Sequence, residues 1–334
     1  MKINVLCFLI FGTLVMMQCT PVDDFPVLTG DYLGQELPGM EPELFAPGIV
    51  STGLFVRDVA ITPDGNEFYF GVASSGYEYA SILVSKRIDG RWTKPEVTPF
   101  TTDPQWGGIE PCISPDGQKF YFVSSRPNPA AGDTVGGNFD IWVMDRLSDG
   151  WGEPYNLGAP VNTEDDEYFP SVTTDGTLYY TRQNKVSRAA NIYRSHSTEG
   201  AFVDSEKLPE QVNSGRAQYN AFIAPDERYI IVPVFGRPDG FGRTDYYIVY
   251  RNADDSWGEP INLGAKINTA GDREYSPYVT RDGQYFFFMS GRGVPEDEIP
   301  EKLSYQFYVD LLTRPNNGGS DIYWVNAEIL PSPE

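Results

Sequence analysis

Apolar and polar positions along the chain fall into a unit that returns five times: a short hydrophobic strand, a turn of the form Pro-Asp-Gly or a near copy, and an aromatic-rich strand. The copies run through residues 60–70, 112–122, 171–180, 222–232 and 278–288, with their turns at Pro63-Asp64-Gly65, Pro115-Asp116-Gly117, Thr174-Asp175-Gly176, Pro225-Asp226-Glu227 and Arg281-Asp282-Gly283. A turn with Asp and a positive-φ position between two alternating strands predicts a tight reversal. From turn to turn the spacing is 51 to 59 residues, which is blade-sized.

Two further strands fit inside each period. A third is expected at 82–84, 140–143, 191–193, 245–249 and 321–325, and a polar turn then leads to a fourth. In the second period the fourth reads Trp151-Gly152-Glu153-Pro154 and Asn156-Leu157-Gly158, closely repeated as Trp257-Gly258-Glu259-Pro260 and Asn262-Leu263-Gly264, with weaker copies at 91–95 and 201–214. The last period ends without a fourth strand, while residues 42–52, ahead of the first, carry a matching pattern. This predicts an all-β, five-bladed β-propeller of four-stranded antiparallel blades, closed by an N-terminal strand that completes the last blade and leaves no open edge. Its blades are expected near 53–103, 104–163, 164–214, 215–269 and 270–330 plus 41–52.

These Asp-Gly turns, Asp-Ile-Tyr-like third strands and Trp-x-x-Pro-x-Asn-Leu-Gly fourth strands resemble the WD40-like β-propeller repeat family of bacterial exported proteins, which includes the propeller of the Tol system. The resemblance covers about 41–330. It implies a scaffold that presents binding surfaces, and it carries no single activity.

Composition changes the picture in three ways. The 334 residues hold 21 Tyr, 20 Phe, 33 Gly and 27 Pro, an all-β and turn-rich content. Residues 1–18 hold one charge, Lys2, and then an apolar run from Val5 to Met17, which reads as a secretory signal peptide. Cys19 follows it as the acylated cysteine of a lipoprotein would, although Gln18 departs from the small residue that pattern wants. Residues 19–40 then read as a tether, and 41–334 as the propeller. The formal charge of −22 becomes −23 when Lys2 leaves with the leader, which excludes nucleic acid and anionic headgroups as partners and limits membrane contact to a lipid anchor. Cys7 leaves with the leader and Cys112 has no partner, so a disulfide-free monomer is expected.

Counting back from each turn locates the candidate chemistry. Asp58, Glu110, Asn220 and Ser276 share one level, Glu167, Gln218 and Glu274 lie at the next, and Arg57, Tyr168, Tyr219 and Tyr275 stand among them. Arg126, Arg182, Arg237 and Arg292 close the second strands. Together they predict a ring of carboxylates, arginines and tyrosines at a channel mouth. It would serve either as inter-blade pairing or as a site for a protein, peptidoglycan or glycan ligand. Asp58, Glu110, Glu167 and Glu274 could also supply the acid and base of a glycosidase or lyase.

No cofactor is indicated. Calcium has oxygen donors at Asp165, Asp166 and Glu167 and at Asp133 with Asp140, without the spacing of a recognised loop. The single His196 gives no zinc cluster or triad and is expected on the surface, and Cys112 is expected buried and inert. The insertion 293–320, with Glu296, Asp297, Glu298, Glu301 and Tyr305 to Tyr308, reads as a lid, a partner contact or a small rim helix.

Overall fold

The computed structural model describes residues 25–198, 200–271 and 273–333. The leader and Cys19 lie outside the described residues. Five antiparallel sheets form the blades of a propeller. Blade one runs inner to outer through Phe55–Ile61, Glu67–Ala73, Ala80–Ile88 and the split outer strand Arg91–Trp92 and Glu96–Val97. Blades two to four repeat this order, and blade five contains Glu274–Val279, Tyr285–Ser290 and Asp321–Asn326.

The aromatic second strands are explained by what lies on each side of a blade. Both faces are covered by neighbours, so successive side chains, which point to opposite faces, must all be apolar. Tyr69 faces blade two with Phe120 and Phe122, whereas Phe68 and Phe70 face blade five with Phe287 and Trp324. Five such buried clusters, one at each blade junction, make up the core.

The fourth-strand pattern has an equally local cause. Asn162 accepts from the amide of Ile141 and donates to its carbonyl, so its side chain pairs with the third strand as a backbone residue would. Asn213 does this with Ile192, Asn268 with Tyr246, and Thr101 with Ile82 through its hydroxyl. In blade five the equivalent residue is Ser51, whose hydroxyl accepts from Ile322 N at 3.2 Å and donates to Ile322 O at 3.1 Å. Glu43–Leu44 pairs with Trp324 and Tyr323, and the buried Phe45 ring meets Phe68, Phe287 and Trp324 at 5.0–5.1 Å. The N-terminal segment therefore closes the ring.

In four turns a hydroxyl bonds the turn aspartate: Thr62 to Asp64, Ser114 to Asp116, Thr173 to Asp175 and Thr280 to Asp282, at 2.5–2.6 Å. Glu227 replaces glycine in the fourth turn at φ 57° and uses its carboxylate elsewhere, on Tyr179 and Arg251.

The tether expectation is corrected over its second half. Leu33 is fully buried, Tyr32 packs on Tyr285 and Trp324, and Trp92 Nε1 donates to Gly30 O at 2.8 Å. A Tyr and a Leu with aromatic partners bury too much apolar surface to hang in water. The insertion forms a helix, Tyr305–Leu312, capped by Ser304. Its end presses on Gly53, where a Cβ would stand 2.2 Å from Leu312 O.

Closure by the N-terminal strand predicts that Phe45→Ala lowers unfolding free energy by about 3–5 kcal/mol, the range for a buried Phe, read by urea denaturation. Deleting residues 41–52 should sharply reduce protease resistance. Unchanged stability in both variants would show that the ring holds without this strand.

Candidate functional site

All five inner strands break register at one level. Asp58, Glu110, Phe169, Asn220 and Ser276 adopt left-handed backbone, with φ between 52° and 60°. In blades one, two, three and five a bulge in the inner pair marks the level, and in blade four the inner strand splits there into Ala217–Gln218 and Phe222–Ile223. A β-bulge re-aims the chain and leaves an unpaired residue. Here the bulge amides are used between blades: Glu110 N donates to Asp58 at 3.1 Å, Phe169 N to Glu110 at 2.7 Å and Asn220 N to Thr181 at 2.9 Å. Left-handed backbone in a non-glycine residue costs about 1–3 kcal/mol, which these bonds offset.

The side chains at this level meet on the axis. Arg57 Nε bonds Asp58 at 3.0 Å, while one terminal nitrogen bonds Glu110 at 2.6 Å and Ser276 at 3.3 Å. Ser276 donates to Asp58 at 2.5 Å, and Asn220 donates to Glu110 at 3.1 Å. None of these five side chains is more than 6 % exposed as a residue. Burial pushes the Glu110 carboxyl up, to about 7, with Arg57 pulling it back. Against the lowering effect of burial, Asp58 and Glu110 hold the Arg57 guanidinium well above its usual range.

The expected ring at a channel mouth is thus corrected. Asp58, Glu110 and Arg57 form a buried plug across the channel, with Asn220 and Ser276 completing it. On the loop side Arg57 lies under the rings of Tyr275 and Tyr77, 4.9 and 5.8 Å from their centroids, and the two hydroxyls meet at 2.8 Å. Tyr219 packs edge-on to Tyr275 and bonds Thr244, and Tyr168 is half-buried between blades two and three. Tyr77 and Tyr79 are exposed. Neither belongs to the repeat, and an aromatic pair in a loop was the only signal for them.

On the turn side the plug floors an apolar vestibule lined by Val59, Ile61, Cys112, Phe169, Phe222 and Tyr278. Burial pushes the Cys112 thiol up to about 12 and keeps it protonated. The turns end beside this cavity, so that face is not featureless.

The remaining candidates serve the scaffold. Arg182 bonds Glu167 at 2.6 Å and the carbonyls of Pro160 and Val161 in the preceding blade. Arg292 reaches the equivalent carbonyls of Lys266 and Ile267, Arg126 that of Phe100, and Arg237 pairs with Asp239. Each also lies over an aromatic ring of its own blade. Arg126, Arg182 and Arg292 are staples at the blade junctions rather than members of a channel ring, and Arg237 is held within its own blade. Glu167 is held by Thr163 as well as Arg182. Asp133 caps its own loop, Asp140 accepts from Asn138 and Asn156, and Asp165 holds Asn184. Among the described residues no three His, Cys, Asp or Glu are grouped to hold a metal ion. His196 is exposed and meets Thr177.

No family model matches the sequence, and no curated protein does. Solved structures with a similar chain path include TolB from Acinetobacter baumannii, 17 % identical with a TM-score of 0.46 over 81 % of this chain and 57 % of that one. Kuenenia stuttgartiensis hydrazine synthase is 19 % identical, with a TM-score of 0.40 over 69 % and 60 %. The catalytic domain of a Coprinopsis cinerea GH62 α-L-arabinofuranosidase is 10 % identical, with a TM-score of 0.47 over 86 % and 94 %. The chain spans less than two thirds of the length of the first two. Likenesses at this level assign no activity, and the WD40-like resemblance stands on the repeat motifs alone.

Glu274 gives a pH signature. It is fully buried, Thr269 and Ser290 bond one oxygen, and the other has no partner among the described residues. Burial pushes it up to about 7, helped by Asp245. A carboxyl raised in the folded state holds its proton after the unfolded chain has released its own, so stability falls as pH rises from the ordinary carboxylate range through about 7. The unfolding free energy of Glu274→Gln, read by urea denaturation, should decline less than that of wild type between pH 5 and pH 8, by on the order of 2 kcal/mol. Parallel profiles would show that Glu274 is not buried as a neutral acid.

Proposed function

We propose that this chain is an exported binding or scaffold module of the cell envelope, delivered by the leader at 1–18 and anchored through lipid at Cys19, with a protein, peptidoglycan or glycan ligand. The observation that carries this reading is the commitment of its acids. A glycosidase needs one carboxyl free to donate a proton and a second, about 5–9.5 Å away, free to attack or activate water. Asp58 and Glu110 are instead buried against Arg57, Glu167 against Arg182, and Glu274 behind Thr269.

Surface for binding is available on the loop side. Leu54, Tyr77 and Tyr79 are 40–55 % exposed, and the rim helix adds Tyr305 and Leu312 at 84 % and 71 %. Phe55 links these groups, since its ring meets Tyr77 and its neighbour Gly53 touches the helix end. Rigid blades carrying variable loops suit recognition, and tyrosines suit ligands with both polar and apolar parts.

A panel of glycans and peptidoglycan fragments, with binding and product formation measured together, tests this reading. Saturable binding without turnover, weakened about tenfold by Tyr77→Ala, is expected. Turnover that Glu110→Gln abolishes would replace binding with catalysis.

A further inference from the structure

Between blades one and two lies a groove of about 1420 Å³, including its open mouth, lined by Tyr69, Phe100, Trp106, Trp151 and Arg126, with Lys86, which pairs with Glu67 at 3.7 Å, and with Asp103, Asp149 and Glu153 along its edge. Among the described residues Arg182 pairs with Glu167 and Arg237 with Asp239, whereas Arg126 and Arg292 make no ion pair and burial pushes both guanidinia down. Of these two, Arg126 lines the groove. At the blade-two position that matches Glu167 and Glu274 stands Gly108, opposite Ser124 as Glu274 is opposite Ser290. No acid fits there, because even a Cβ would lie 2.3 Å from Thr101 Cγ2.

Arg126 therefore makes no ion pair among the described residues. Its Nε bonds Ser124 at 3.1 Å, one terminal nitrogen bonds Phe100 O at 2.5 Å, and Phe122 and Trp142 lie against the guanidinium. Its other terminal nitrogen has no bond to the described residues. Burial pushes this guanidinium down, with only Asp103 opposing. A half-buried cation with donors to spare, set in an aromatic groove, is built to receive an anion in planar, forked geometry.

We propose that this groove binds an acidic sugar, its carboxylate on Arg126, its ring against Trp106 and Trp151, and its hydroxyls donating to Asp103, Asp149 or Glu153. The three acids on the groove edge decide between carboxylate ligands. They repel a plain polyanion, whereas a sugar acid supplies several hydroxyl donors to them beside a single charge. The inference goes beyond the binding reading, because it adds a second site on a surface separate from the loop-side tyrosines.

The probe is methyl galactopyranosiduronic acid, a sugar with one carboxylate, titrated against the full protein by tryptophan fluorescence, with its methyl ester as the uncharged control and tri-alanine as a carboxylate without sugar. Saturable quenching by the sugar acid is expected, at least about tenfold weaker for the ester, which lacks the charge that Arg126 would meet. Arg126→Lys and Trp106→Ala should each weaken binding about tenfold. Trp106→Ala guards against a folding defect in the arginine variant, and its thermal midpoint should match wild type. Tyr77→Ala should leave this binding unchanged, so loss at one surface is not mistaken for loss at the other. Absence of saturable binding, equal affinity for the ester, or tri-alanine binding as tight as the sugar acid would each overturn the proposal.

Discussion

One guanidinium holds the centre of this propeller. Arg57 bonds Asp58 from its own blade, Glu110 from the second and Ser276 from the fifth, while Asn220 ties in the fourth through Glu110. One cation faces two carboxyls in a space nearly closed to water, an arrangement that is costly unless nearly every lone pair finds a donor. The backbone supplies those donors by bending. Of the five left-handed residues, Glu110, Phe169 and Asn220 turn amides toward the neighbouring blade, and Asp58, Glu110, Asn220 and Ser276 turn side chains toward the axis. The strain of the bulges and the desolvation of the charges are thus offset by the same set of bonds.

Everything with access to solvent is arranged around that closed centre. On the loop side the plug is roofed by tyrosines, and on the turn side it floors an apolar vestibule. At the blade junctions arginines lie over aromatic rings and bond carbonyls of the blade before. The blades are therefore joined by polar staples outside the apolar clusters, and closure at Ser51 and Phe45 uses the contacts of the other junctions. Acids spent on holding such a scaffold are poorly placed for proton transfer.

Much of this was legible in the repeat. The Asp-Gly turn is set by local chemistry, a hydroxyl on an aspartate and a positive φ at Gly65, Gly117, Gly176 and Gly283, so it appears in the sequence at four of the five copies, and Asp226-Glu227 keeps the positive φ without the glycine. Closure was legible because Ser51 sits in a segment patterned like those holding Asn162 and Asn268. The placement of the acids was not. Counting back from the turns assumes unbroken alternation, and the bulge at Asp58, Glu110 and Ser276 breaks it, so residues expected at a mouth are buried on the axis. Arg126, Arg182 and Arg292 recur at strand ends, but only packing shows that they point to carbonyls of the preceding blade. The tail at 28–34 has no repeat partner, and the fit of Leu33 and Tyr32 beside Trp92 and Trp324 is a property of the folded surface alone.

The central claim is that Arg57 and its two carboxylates act as one structural unit. Urea unfolding of Arg57→Met, compared with the triple variant Arg57→Met/Asp58→Asn/Glu110→Gln, tests it directly. Removing the cation alone strands the buried Asp58 and Glu110 carboxyls without their partner and should cost about 3–5 kcal/mol, and replacing both acids in the same chain should recover at least half of that. Losses that simply add, leaving the triple variant less stable than Arg57→Met, would contradict it.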